Sequence, residues 1–136
     1  MPWNVPISAL ADMVEDSANK LSAFVIRYSN IAGHDPGKIE KINEAQDQLR
    51  DLAANLLTIE GQQIQLADAN ANRQLQQAVE QGVGVLRTLK TADACIAYAT
   101  TLVTLATAIY GEDPGTAIQA LQAFSDLVFP PAVPPA

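Results

Sequence analysis

Gly33-His34-Asp35-Pro36-Gly37 and Gly111-Glu112-Asp113-Pro114-Gly115 repeat one pattern, Gly-x-Asp-Pro-Gly, each time between stretches whose apolar residues recur at helical spacing. The first glycine of each copy suits the positive φ of a position just past a helix. The aspartate side chain can then cap the free N–H groups of the next helix, and proline suits its first turn, where no N–H is needed. Gly33, Asp35 and Pro36, and again Gly111, Asp113 and Pro114, are therefore expected as the structural turns of two αα-hairpins. Residues beyond the turns differ between the copies, so shared connector chemistry explains the repeat better than duplication does.

Outward from the first turn, Ile7, Val14, Leu21 and Tyr28 form one heptad column and Leu10, Phe24 and Ile31 the other, with Ser17 as the single polar break. That predicts one amphipathic helix over residues 5–31. On the other side, Ile42, Leu49 and Leu56 alternate with Ala45, Leu52 and Ile59, and the two helices are expected to zip together antiparallel. The register then fails, because continuation would put Gln63 and Asn70 in a core column, so a break is expected at about Thr58 to Gln62. A new heptad runs from Leu75 through Gly82, Leu89, Ile96 and Val103, beside Ala78, Val85, Ala92, Ala99 and Ala106. Its unbroken register favours one continuous helix to Tyr110, with Gly82 and Gly84 serving close helix contact. A break near Lys90, with Thr91 as a cap and Asp93 in the first turn, is the competing reading.

The second turn leads into a short helix, Pro114 to Val128, with Ile118, Leu121, Phe124 and Val128 on one face, expected to fold back on the alanine-rich helix. Residues 129–136 carry four prolines and read as a polyproline-type tail or linker, as at the edge of a domain cut from a longer chain. The expected fold is all-α: an antiparallel bundle of four or five helices from two αα-hairpins. It fills a single domain over residues 1–128, with a Pro-rich C-terminal tail.

The chain has 136 residues, a formal charge of −7, eight Lys and Arg against fifteen Asp and Glu, and 49% hydrophobic residues but only 5% aromatic. Such a balance argues against disorder and requires a core of Ala, Leu, Ile and Val. A deficit of cations disfavours nucleic acid and anionic lipid surfaces as partners, and leaves a basic protein surface open. Cys95, the lone cysteine, lies among alanine and isoleucine and reads as a buried structural thiol. The N-terminus lacks the basic and apolar regions of a secretory signal, so the default expectation is a cytoplasmic address.

No residue set reaches a catalytic signature. Ser17-Ala18-Asn19-Lys20 matches Ser-x-x-Lys, where a lysine one turn away can take the serine proton, but the companion motifs Ser-Asp-Asn and Lys-Thr-Gly are missing. Ser17 also falls in a core column while Lys20 leans outward. Glu40, Glu44, Asp47 and Asp51 line one helix face as metal-binding carboxylates do, yet that face lies away from the apolar stripe, with Lys41 and Arg50 placed to pair with it. The only histidine, His34, falls in a turn. Gly82-Val83-Gly84 lacks the remaining features of a phosphate-binding loop. No metal and no cofactor is expected.

Two non-catalytic features remain. Gln62, Gln65, Asn72, Arg73, Gln76 and Gln77 belong to a stretch rich in amides, which bind without the desolvation cost of charge and suit a partner surface. Residues 94–111 hold no charge, which raises a membrane-spanning helix, although Thr100, Thr101, Thr104 and Thr107 wrap one side and Asp93, Glu112 and Asp113 bound it. The expectation is a non-enzymatic, acidic helical interaction module of chaperone, immunity or adaptor type. It would bind another protein or itself as a homo-oligomer. A membrane-active or pore-forming-type protein is the alternative, and a hydrolase-like enzyme the third.

Overall fold

The structure is a computed structural model that describes residues 5–58, 63–64, 69–86, 91–111 and 113–128. It is all-helical, with α1 (Ile7–Ser29), α2 (Pro36–Leu57), α3 (Ala69–Leu86), α4 (Ala92–Tyr110) and α5 (Pro114–Val128). A two-residue antiparallel backbone ladder between β1 (Val5–Pro6) and β2 (Gln63–Ile64) ties the start of α1 to the segment before α3. The Pro-rich stretch 129–136 lies outside the described residues.

Contacts run round a ring: α1 packs on α2 and α3, α5 on α3 and α4, and α4 on α2. A smaller contact crosses the ring between α1 and α4. Leu10, Val14, Leu21, Ile42, Leu49, Leu56, Leu75, Leu102, Leu105, Leu121 and Phe124 are wholly buried at its centre. The heptad columns of α1 and α2 supply their share of that core, except at the ends. Ile31 is 56% exposed, because α1 stops at Ser29 and Ile31 belongs to the turn.

Helix ends are made by side chains close in sequence. Asp35 sits in extended backbone and accepts the Gly37 N–H at 2.8 Å, with Pro36 opening α2. Asp113 accepts the Thr116 N–H and hydroxyl at 3.2 and 2.8 Å at the start of α5. Those Thr116 bonds hold the Asp113 carboxyl below its ordinary range, so its stabilising effect is whole at neutral pH and is lost on acidification.

The two leading glycines differ from expectation and from each other. Gly33 has φ +84° but lies four residues beyond the last residue of α1, inside a turn closed by the His34 N–H on the Ile31 carbonyl. Gly111 has φ −81° and is the cap residue itself; its N–H reaches the Thr107 carbonyl, and the Asp113 N–H reaches that of Ala108. The second helix end therefore closes with a six-to-one bond and needs no left-handed glycine at position 111. Glu112 lies outside the described residues.

α2 ends at Leu57 with Thr58 as its cap, at the leading edge of the break expected over Thr58–Gln62; residues 59–62 lie outside the described residues. The continuous helix expected from Leu75 to Tyr110 is corrected. Thr91 takes extended backbone and its Oγ1 accepts the Ala94 N–H at 3.1 Å, which starts α4 at Ala92. The stripe shifts accordingly: Ala92, Ala99 and Ala106 are buried as expected. Cys95, Leu102 and Ile109 are buried in place of Ile96 and Val103, which are only partly covered. A new helix resets its own phase; Leu89 and the rest of residues 87–90 lie outside the described residues.

Gly82 fulfils the expected close contact. A Cβ there would meet the Tyr98 hydroxyl at 3.3 Å and Phe124 Cζ at 3.5 Å, whereas one at Gly84 would meet nothing within 4 Å. Both glycines lie inside α3 and weaken it by about 1 kcal/mol relative to alanine. Gly84→Ala should raise the urea midpoint by an amount corresponding to about 0.5–1 kcal/mol, while Gly82→Ala should show no gain, or a loss, because Tyr98 has to move. Asp35→Ala should cost about 1 kcal/mol through the lost cap, read from the same unfolding curves.

Candidate functional site

Ser17, the polar break in the α1 column, is wholly buried and shares a 2.9 Å hydrogen bond with the Tyr98 hydroxyl of α4. Its Oγ also lies 3.5 Å from the Met13 sulfur, one turn back. With the serine proton on that sulfur, the phenol donates to Ser17 and each hydroxyl is satisfied. The Tyr98 ring meets Phe124 of α5 edge to face at a centroid distance of 5.0 Å. Beside Gly82 of α3, the hydroxyl thus stands where α1, α3, α4 and α5 converge. Sequence reasoning missed Tyr98; the available signal was Ser17 itself, a hydroxyl in a core column that needs a partner.

Burial pushes the Tyr98 phenol up to about 12 against the opposing pull of the Ser17 bond, and pushes the Cys95 thiol up to about 11 against the nearby Arg27 charge. Neither group is thereby a nucleophile at neutral pH, since the fold favours both protonated forms. Ser17 is engaged with Tyr98 rather than Lys20, which is half-buried. The Ser-x-x-Lys pair therefore forms no contact of the kind its chemistry requires.

Glu40, Glu44, Asp47 and Asp51 are exposed along α2, and Asp12, Glu15 and Asp16 are exposed along α1, its packing neighbour. Among the described residues no group of His, Cys, Asp and Glu is arranged to hold a metal ion. Lys41 is exposed, and Arg50 donates to the amide of buried Gln46 at 3.3 Å. Elsewhere Lys38 pairs with an acid: its ammonium lies 3.1 Å from Asp93 and joins the starts of α2 and α4. Nearby, the Tyr28 hydroxyl accepts the Asp35 N–H at 2.8 Å, its ring stacks on Phe24, and His34 meets it edge-on. His34 is thus a turn residue, its Nδ1 2.9 Å from the Ile31 carbonyl.

The amide-rich candidates divide. Gln62 and Gln65 lie outside the described residues, and Asn72 falls in the first turn of α3. Arg73 and Gln77 are exposed, and partly buried Gln76 donates to Glu80 at 3.2 Å. α4 is long and apolar enough to cross a membrane by length and composition, with half of that stretch buried inside the bundle. On its outer side Thr100, Thr101 and Thr104 donate to carbonyls of their own helix at 2.9, 2.7 and 3.0 Å.

In comparisons with known proteins, no family model, no curated protein and no solved structure matches the chain.

Ser17→Ala should cost more than Tyr98→Phe, roughly 1–3 kcal/mol, because it strands the phenol hydroxyl, whereas Ser17 left alone can turn to its own helix carbonyl. The double variant should be more stable than Ser17→Ala alone, as a denaturation cycle will show. Raising pH should leave stability whole below about 9, then drain it as Cys95 titrates towards about 11 and Tyr98 from 10 towards about 12. Tyr98→Phe should remove the tyrosine part of that loss.

Proposed function

We propose that the chain is a non-enzymatic protein-binding module of chaperone, immunity or adaptor type. In this reading two αα-hairpins, α1–α2 and α4–α5, are joined through α3 into an antiparallel bundle. The observation that carries it is the placement of seven exposed carboxylates, Asp12, Glu15, Asp16, Glu40, Glu44, Asp47 and Asp51, on two helices packed side by side. A rigid acidic face of this kind steers and orients a basic partner surface, while the interior chemistry of the bundle is spent on packing. On α3, Gln76 and Gln77 add amides that bind without the desolvation cost of charge, and exposed Arg73 adds a cation. A second copy of the chain is the other partner within the same reading, and a cytoplasmic address goes with it.

The test is co-purification from the native host with wild type and a Glu40→Lys/Glu44→Lys/Asp47→Lys variant, after circular dichroism has shown equal helicity. Light scattering of the wild type alone accompanies it. Expected is a stoichiometric protein partner, or a self-associated species, that the charge reversal weakens at least tenfold and that raised salt also weakens. Recovery of neither, or binding indifferent to the reversal, would contradict the acidic-face reading. Co-flotation with liposomes together with release of a trapped dye would move the assignment to α4 and the membrane.

A further inference from the structure

We draw no further inference here: the strongest candidate, the uncharged outer side of α4 with its self-bonded Thr100, Thr101 and Thr104, belongs to a helix half buried in the core, and nothing in the structure shows a bilayer or a partner covering it.

Discussion

A phenol hydroxyl at the centre of a hydrocarbon core must find a hydrogen bond, and meeting that demand at Tyr98 organises the bundle. Among the described residues Tyr98 is the largest wholly buried side chain, only 1% exposed. Its ring needs Phe124 at its edge, its oxygen needs Ser17, and the space for both exists because Gly82 carries no side chain. An unsatisfied buried hydroxyl costs about 1–3 kcal/mol, more than a made hydrogen bond contributes net. The pair therefore acts less as a source of stability than as a penalty on every arrangement that separates α1 from α4. An apolar core of alanine and leucine tolerates small slides between helices; this polar contact does not.

Around that centre, local chemistry sets where each helix begins. Asp35, Thr91 and Asp113 each turn a short side chain onto an early N–H of α2, α4 and α5. Lys38 on Asp93 then brings two of those starts together at the surface, where exposure and salt limit what an ion pair adds. Caps decide the lengths of the helices and the core decides their rotation. The shifted stripe on α4 shows the second effect overriding simple heptad continuation, since Cys95, Leu102 and Ile109 face inward with Tyr98 and Leu105.

Most of the helical content was legible in residue order because periodicity and caps are local properties. The α2 stripe through Ile42, Leu49 and Leu56, the α5 bounds and the Asp35 cap follow from neighbours a few residues apart. What escaped reading was non-local or degenerate. Thr91 offered a cap, but a coincident heptad spanned it and argued for continuity. Gly33 and Gly111 sit in matching sequence patterns, yet the helices before them end at different distances. The partner of Ser17 lies eighty-one positions along the chain, beyond any local pattern. The acidic row on α2 is readable as solvated because it opposes the apolar stripe; that Asp12, Glu15 and Asp16 lie on the helix packed against α2 is a tertiary fact that no local pattern carries.

The proposed recognition role rests on a bundle rigid enough to hold its exposed carboxylates in place. Nuclear Overhauser contacts of the Tyr98 ring test this foundation most directly. The account predicts cross-peaks from the ring to the Phe124 ring, the Gly82 α-protons and the Ser17 β-protons together, with a slowly exchanging hydroxyl proton. A Tyr98 ring that shows none of the three, or a hydroxyl in free exchange with water, would contradict it.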